Sequence, residues 1–581
     1  TGGSNTNDLE VIQLTSHSDM LSLKKRDRQK LRLKTFISTM VSTDLVIAGN
    51  VDLIPARISQ IPRIIKSKRI PIDVSMIQIT SPNDAGYCSL GAAVDVAREA
   101  MQEASLVVGE INHQIPFTFG DTIVSISDFD LLVESTEPPI YFKRWPVSKV
   151  INQVAANIAQ VIEDGDCINF FTGSLFEALG HHLIHKRHLG IHSSYFTDAL
   201  MDLVKSGAVT NYRKVIFRGK TVASYALGTP ALMEWLDHNP LVEFQGIEQV
   251  FNPTQIGRNP NVVVVERARK VDLLGRITFG VGKGEIISGP GQSADLITGA
   301  EISRGGRTVI GLPSRNSKGD PNVVVMLRNL RNQFHLRESI DTVVTEYGIA
   351  NLKWRTIRER AQALIDIAHP DDREKLMEQA KEKKILLDDQ IFLSGSACLY
   401  PMNIATEHYF KDGLKVRFRA IKPSDEEDMR RLFYRFSDQA VYRRFFYPVK
   451  TMPHHKMQQY VNIDYNWEMS VVALVGDPGE GTIIAEARYA RDEESAYGDV
   501  AFMVEEKYQG VGIATYLYEM LIRLAKERGF KGFTAEVLQI NTVMMKVFEK
   551  GHMPITARLS DGLYRLKIPF DTQSHQPEIN N

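Results

Sequence analysis

The sequence predicts an α/β protein: two tandem α/β halves followed by a smaller α+β domain. Three observations carry that prediction. Short apolar strands alternate with amphipathic helices from residue 9 to about residue 380, the pattern of a covered, mostly parallel sheet. Glu137-Pro138-Pro139 interrupts the alternation and divides it in two. From Lys415 the order changes to alternating strands around one glycine-rich turn and one long helix. The boundaries expected are 1–140 and 141–385 for the two halves, 386–413 for a linker, 414–570 for the third domain and 571–581 for a polar tail.

In the first half, Val11-Ile12-Gln13-Leu14, Leu45-Val46-Ile47-Ala48 and Asp73 to Ile79 read as strands. The last is closed by the turn signal Ser81-Pro82-Asn83-Asp84, and Ala92 to Ala104 reads as a helix. A second βα series runs from Val150 to about Ala380. The irregular stretch after Leu386, with Asp388-Asp389 and Lys411-Asp412-Gly413, looks like linker. The third domain opens with the strand Val416-Arg417-Phe418-Arg419 and a helix expected to be capped at Ser424, with acids in its first turn. Asp499 to Val504 alternates like a strand. Leu517, Leu521 and Leu524 then repeat at helical spacing, with Gly529 as the residue that closes the helix. Phe533 to Leu538 alternates as a further strand.

A chain of 581 residues holds three or four domains at roughly 150 residues each. An apolar fraction of 43% and a charged fraction of 24% fit a soluble globular protein. With 69 basic against 70 acidic residues the formal charge is −1, so no nucleic-acid or membrane partner is expected for the chain as a whole. No apolar run is long enough for a transmembrane helix, and Thr1 to Asp8 lacks the apolar core of a signal peptide. Cys88, Cys167 and Cys398 are far apart, which excludes a disulfide framework and a cysteine-rich zinc site. No metal is expected, and the location expected is the reducing cytoplasm.

The most informative stretch is Gln509-Gly510-Val511-Gly512-Ile513-Ala514, between a strand and a long helix. Free N–H groups and the helix dipole at such an N-terminus favour a diphosphate, and small residues let the backbone approach it. A glycine-rich turn alone is equally an ordinary strand–helix connection. Here the order strand, Q-G-x-G-x-A, helix, strand, Asn541 resembles the GNAT N-acetyltransferases over Lys415 to Phe570. Arg419-Ala420-Ile421-Lys422-Pro423-Ser424-Asp425, Tyr442-Arg443-Arg444-Phe445-Phe446 and Asp464-Tyr465-Asn466-Trp467-Glu468-Met469 resemble the Pat-type protein-lysine acetyltransferases in particular.

That resemblance implies acetyl-CoA as cosubstrate, held by Val504, Gln509, Gly510, Val511, Gly512, Ile513, Ala514 and Asn541. It implies direct attack of an amine on the thioester, a backbone N–H polarising the thioester oxygen, and a carboxylate that removes a proton from the ammonium. Asp499 stands where Pat-like domains carry that carboxylate, usually as Glu; its plain alternative is a strand-entry residue. Glu505 and Glu506 are the next acids and read as a solvated strand end. Asn541 reads equally as a helix cap. The tyrosine acid common in this family has no counterpart in Val547-Phe548-Glu549-Lys550.

From about Leu9 to Ala380 the chain resembles the acetyl-CoA hydrolase/transferase family, which includes 4-hydroxybutyrate and butyryl-CoA:acetate CoA-transferases. The residues that carry this are Ser81-Pro82-Asn83-Asp84-Ala85-Gly86-Tyr87-Cys88-Ser89-Leu90-Gly91, Leu189-Gly190-Ile191-His192-Ser193, Val271-Asp272-Leu273, Val344 to Asn351, and Ile367-Ala368-His369-Pro370. The fold class implied is thus two tandem CoA-transferase-type α/β halves followed by a GNAT α+β domain. The family's chemistry needs a glutamate that attacks the acyl-CoA and passes through an anhydride to a glutamyl-CoA thioester. Its motif G-I-H-(S/T)-E-M reads Gly190-Ile191-His192-Ser193-Ser194-Tyr195 here, so Ser194 occupies the place of the nucleophile. A serine cannot form that anhydride. Phe171 to Leu179, with Gly173, replaces one glycine loop. The other reads Ser288-Gly289-Pro290-Gly291-Gln292-Ser293, where Pro290 cannot donate a hydrogen bond. Gly289, Gly291 and Ser194 mark an altered transferase site. Cys88 reads as a small core residue and Glu346 as structural.

The reading that follows is an acetyl-CoA-dependent N-acetyltransferase acting on a protein lysine, with a CoA-transferase-like body as a regulatory or scaffolding part. The alternatives are a working acyl-CoA:carboxylate CoA-transferase or acetyl-CoA hydrolase with a GNAT appendage, and a non-catalytic acyl-CoA sensor. Partners expected are acetyl-CoA or CoA and a protein lysine, with homo-oligomerisation left open.

Overall fold

The computed structural model describes residues 9–14, 31–36, 51–279, 291–327, 333–334, 337–393, 400–401, 404–476, 481–491 and 495–570. The chain divides into two compact units, Thr1–Arg355 and Thr356–Asn581. The expected strand at Leu45 to Ala48 and the loop residues Gly289 and Pro290 lie outside the described residues.

The first unit carries two α/β layers. In its first half, β1 (Leu9–Gln13), β2 (Leu31–Thr35) and β3 (Val51–Leu53) pair in parallel. β4 (Val74–Ile79), β5 (Leu106–Asn112) and β6 (Leu131–Ser135) form a second parallel sheet. The helix expected from Ala92 is shorter: α1 runs Ala97–Glu103. Asp95 adopts a positive φ of 34°, and Val94 and Ala92 bond instead to Ser224 and Ala226, so tertiary pairing claims the residues before the helix.

The second half is built on a nine-stranded sheet. Its main path runs β8 (Gly190–Ile191), β7 (Cys167–Asn169), β9 (Val262–Asp272), β10 (Arg307–Gly311), β11 (Thr342–Thr345) and β12 (Gly348–Asn351). All neighbours on this path are parallel except the closing hairpin β11–β12. The run Val262-Val263-Val264-Val265 is fully buried, as a central strand covered on both faces requires. α2 (Lys149–Val161), α3 (Ser174–Leu183) and α4 (Ser293–Ile302) pack on this layer.

The second unit begins with α5 (Ile357–Asp366) and α6 (Pro370–Glu382). An eight-stranded sheet follows, in the order β13 (Thr406–Tyr409), β14 (Lys415–Ala420), β15 (Glu468–Val475), β16 (Thr482–Ala490), β17 (Tyr497–Val504), β18 (Gly532–Leu538), β20 (Leu563–Pro569), β19 (Thr556–Ser560). β13 lies inside the stretch read as linker. Asp412 and Gly413 both take positive φ, 60° and 74°, which closes a tight hairpin onto β14. Helices α7 (Glu426–Arg435), α8 (Asp438–Phe445), α9 (His454–Val461), α10 (Ile513–Glu527) and α11 (Thr542–Lys550) complete the unit. Leu517, Leu521 and Leu524 are buried on one face of α10, which ends before Gly529 at φ 76°.

The N-cap position of α7 falls to Asp425 and not to Ser424, and Asp425 gives the helix no side-chain cap. Its carboxylate takes the backbone N–H of Lys422 at 2.8 Å and both terminal nitrogens of Arg419 at 2.7 and 2.8 Å. Ser424 instead donates its N–H to Asp366 of α5 at 3.1 Å.

Candidate active site

The feature that organises the second unit is a parting of two strands. β17 and β18 are parallel, but they pair only at Tyr497–Gly532, Gly498–Phe533 and Asp499–Thr534. Beyond Asp499 they separate. The far edge of β17 stays paired to β16 as far as Val504, and the far edge of β18 stays paired to β20 as far as Leu538. Two strand edges therefore face a wedge with no ladder bonds across it, a place where an extended chain can find backbone partners.

Where β17 ends, the chain turns into α10. Gly510 and Gly512 take φ of 79° and 105°, values that side chains disfavour. Gly512 is the N-cap of α10 and supplies no side-chain cap, so the first-turn N–H groups are left for an anion. The loop is tied back to the strand by Gln509, whose side-chain amide donates to the Val504 carbonyl at 2.9 Å. Phe410, at the end of β13, lies under the loop: a Cβ at Gly512 would sit 3.6 Å from its ring.

A cleft of about 530 Å³ opens along this wedge, a size suited to a small-molecule ligand. Of the residues expected to hold acetyl-CoA, Val504, Gln509, Gly510, Gly512, Ile513, Ala514 and Asn541 line it. Val511 packs against the hydrophobic core. Asn541 also caps α11, accepting the N–H of Met544 at 3.3 Å.

Asp499 stands at the vertex of the wedge, where the strands part, and is not among the cleft-lining residues. It is exposed, yet the protein around it raises its carboxyl pKa. Glu536 adds to that rise. The Arg444 guanidinium and a 3.5 Å hydrogen bond from the Thr534 hydroxyl oppose it.

The solvated strand end holds for Glu506, which is exposed, and not for Glu505. Glu505 is buried and paired with Arg435 at 2.9 Å and with Lys507 at 3.0 Å. Glu506 accepts the N–H of Ser437 at 3.0 Å, which fixes the start of α8 beside the loop. Of the two, Glu506 lines the cleft. The whole length of α8 lines the cleft as well, through Gln439, Ala440, Val441, Arg443 and Arg444. In the sequence the last two stand within Tyr442-Arg443-Arg444-Phe445-Phe446, a stretch that carries the Pat-type resemblance without giving either arginine a role.

In the first unit, Ser194 lies between β8 and the short strand Tyr195–Phe196 and is fully buried. Its carbonyl accepts the N–H groups of Ser224 and Tyr225, each at 3.2 Å, and its hydroxyl has no partner. The neighbouring Tyr195 stacks on Tyr225 at 5.4 Å and meets Phe171 edge-on at 5.4 Å. His192 donates its Nε2–H to the Val250 carbonyl at 2.9 Å, and burial pushes its pKa down to about 4. Gly173 is the N-cap of α3 with φ 118° and open space beside it. Gly291 forms a bridge with Arg57, joining the two halves. Glu346 accepts the N–H and the hydroxyl of Ser314 at 2.8 and 2.6 Å. Cys88 is buried in the core, and burial raises its thiol pKa. Among the described residues no acidic, histidine or cysteine cluster fits a metal ion, and no helix is long and apolar enough to cross a membrane.

Comparison with known proteins follows the same division. The acetyl-CoA hydrolase/transferase N-terminal domain matches residues 4–142 and the C-terminal domain of that family matches 228–380. The acetyltransferase (GNAT) family matches residues 438–552. The chain is 35% identical over 377 residues to a 4-hydroxybutyrate coenzyme A transferase of Clostridium kluyveri, covering 64% of this chain and 88% of that protein. It is 30% identical over 186 residues to the acetyltransferase Pat of Mycolicibacterium smegmatis, covering 31% of this chain and 52% of that one. The crystal structure of RipA from Yersinia pestis superposes with a TM-score of 0.62 at 28% identity, over 65% of this chain and 88% of RipA.

Proposed function

We propose, from the premise that the chain belongs to the acetyl-CoA hydrolase/transferase family and carries a C-terminal GNAT acetyltransferase domain, that its working reaction is acetyl transfer from acetyl-CoA to a protein lysine. The observation that carries this reading is the parting of β17 and β18 in front of an uncapped helix N-terminus. The N–H groups from Gly510 to Ala514 receive the diphosphate. The free strand edges hold the pantetheine arm, and the thioester comes to rest near the vertex.

There a lysine amine attacks the acetyl carbon and the thiolate departs. A lysine ammonium has a pKa of about 10.4, so a base is needed at neutral pH. Asp499 is assigned that role, directly or through one water. Its raised pKa makes it a stronger base than an ordinary aspartate while leaving it able to ionise. The thiolate, a good leaving group, is protonated by solvent.

The body is assigned a regulatory or scaffolding role. Ser194 stands where the related CoA-transferases carry their glutamate, and its fully buried hydroxyl cannot replace an acyl-accepting carboxylate. A second reading, CoA transfer between an acyl-CoA and a carboxylate, is favoured by the 35% identity to a 4-hydroxybutyrate CoA-transferase. The deciding experiment measures both reactions on the full chain: lysine acetylation from acetyl-CoA, and CoA exchange between acetyl-CoA and butyrate. Acetylation without exchange is expected; robust exchange without acetylation reverses the assignment.

A further inference from the structure

Aromatic rings meet behind the phosphate loop. Phe410 of β13 lies 3.6 Å from where a Cβ at Gly512 would stand. Its ring meets Phe418 of β14 at 6.1 Å and Tyr516 of α10 at 5.9 Å, and Phe418 meets Tyr516 at 4.6 Å. His408 precedes Phe410 by two residues and so shares its face of β13. Its imidazole stacks on Tyr516 at 4.5 Å, with 29° between the planes, and meets Phe410 edge-on at 4.7 Å.

Core packing accounts for three of these rings: Phe418 is buried, and Phe410 and Tyr516 are half-buried. It does not account for His408, which is exposed. Among the described residues its imidazole makes no hydrogen bond or ion pair. With one face against Tyr516, the ring offers its outer face to solvent.

The stack stands on the far side of α10 from the wedge. Ala514 lines the cleft, and Tyr516 follows it by two residues, about 200° round the helix axis. A diphosphate at the N-terminus of α10 lies near that axis. In CoA it carries the pantetheine arm on one end and the nucleoside on the other. The arm enters the wedge, so the opposite side of the axis is open to the nucleoside. A flat ring with a free face is what a purine base stacks on. The GNAT family match covers residues 438–552, so it does not include β13 or this ring.

We propose that His408, held flat by Tyr516 and Phe410, is the platform on which the adenine base of acetyl-CoA stacks. The proposal rests on the acyltransferase reading of the same loop, and it makes β13 the element that recognises the nucleoside end of the cosubstrate.

The test uses the full chain and calorimetry with CoA, 3′-dephospho-CoA, which keeps the base, and 4′-phosphopantetheine, which lacks the nucleoside. The Kd for phosphopantetheine divided by that for CoA reports what the nucleoside contributes. His408→Ala is expected to lower this ratio on the order of tenfold, as loss of a base-stacking ring does. His408→Phe, which keeps a flat ring, should hold it near the value of the unaltered chain. The loss in His408→Ala should be as large for dephospho-CoA as for CoA, because the ring touches the base and not the 3′-phosphate. An unchanged ratio in His408→Ala overturns the proposal, whether both affinities hold or both fall together. The second case marks a ring that only braces the loop. A loss that needs the 3′-phosphate also overturns it, as does an equal loss in His408→Phe. The two levels fail differently. CoA binding with an unchanged ratio defeats the base platform alone, whereas no CoA binding by the unaltered chain defeats the acyltransferase reading with it.

Discussion

Arg435 and Glu505 form an ion pair of 2.9 Å that joins the end of α7 to the residue at which β17 gives way to the phosphate loop. Glu505 is almost fully buried and Arg435 about a third exposed, so removing the acid leaves a guanidinium partly desolvated without its partner. Glu505→Ala is expected to lower stability by about 2 kcal/mol and to raise the KM for acetyl-CoA, because the loop loses its anchor. Thermal melting and initial-rate kinetics check both effects. Full stability would show that the pair contributes nothing to the fold.

Asp499→Asn removes the assigned base at the vertex. The expected loss of lysine acetylation is on the order of 10²-fold at pH 7, with the KM for acetyl-CoA little altered. The deficit should shrink above about pH 9, as a growing share of lysine loses its proton unaided. A full-rate variant at pH 7 would move proton removal to solvent.

Ala514 sits in the first turn of α10 and lines the cleft. It is a cleaner probe than Gly512, whose φ of 105° strains any side chain. Ala514→Asp places a negative charge at a helix N-terminus, which favours the helix by about 0.5 kcal/mol. The same charge repels the diphosphate. Melting temperature should hold or rise while the KM for acetyl-CoA climbs at least tenfold. Unchanged acetyl-CoA binding by calorimetry would mean that the diphosphate lies elsewhere.

His192 gives the first unit a marked acid sensitivity. Its pKa is pushed down to about 4 in the fold, against 6.5 for a free histidine, so the folded state resists the proton that the unfolded chain accepts. Stability from this group is present above pH 6.5 and is lost as pH falls towards 4, by roughly 3 kcal/mol in all. His192→Gln should flatten the fall of melting temperature across that window. An unchanged profile would locate the acid sensitivity in other groups.

Ser194→Glu introduces the carboxylate that related CoA-transferases use, at a fully buried position. Overpacking and the burial of an ionisable group are expected to lower stability by about 3 kcal/mol. CoA exchange should not appear, because a side chain at this fully buried position is shut off from an incoming thioester. Measurable exchange by the variant would show that the surrounding site is intact and that one residue separates it from a working transferase.

The parts of the fold legible in the sequence are those fixed by local rules. The glycine turn, the leucine spacing of α10 and its closing glycine each announce themselves within a few residues. The strand β13 was hidden by the same logic: Asp412-Gly413 reads as linker unless a partner strand is known to lie on both sides. The N-cap position at Asp425 and the burial of Glu505 were illegible for another reason. Each is decided by an arginine, Arg419 or Arg435, and in Glu505's case that arginine is brought from far along the chain. The vertex at Asp499 depends on where two strands stop pairing, which no local pattern encodes. The setting of Ser194 likewise depends on Ser224 and Tyr225, distant in sequence, whose N–H groups its carbonyl accepts.

The helices α5 and α6 give the chain an unusual line of inheritance. By sequence, residues up to 380 match the C-terminal domain of the CoA-transferase family, yet the compact unit that holds the acyltransferase begins at Thr356. Asp366 of α5 takes the N–H of Ser424, and Gln390 beyond α6 bonds back to Gln362 of α5, so these helices are stitched into their second neighbour. A cut placed at the end of the transferase homology would strip the acyltransferase of its foundation, and one placed at Lys415 would also remove β13 and Phe410 from beneath the phosphate loop. Ancestry and folding are out of step along this stretch. Whatever lineage discards the transferase-like body must keep its last two helices, or rebuild the ground on which the GNAT domain stands.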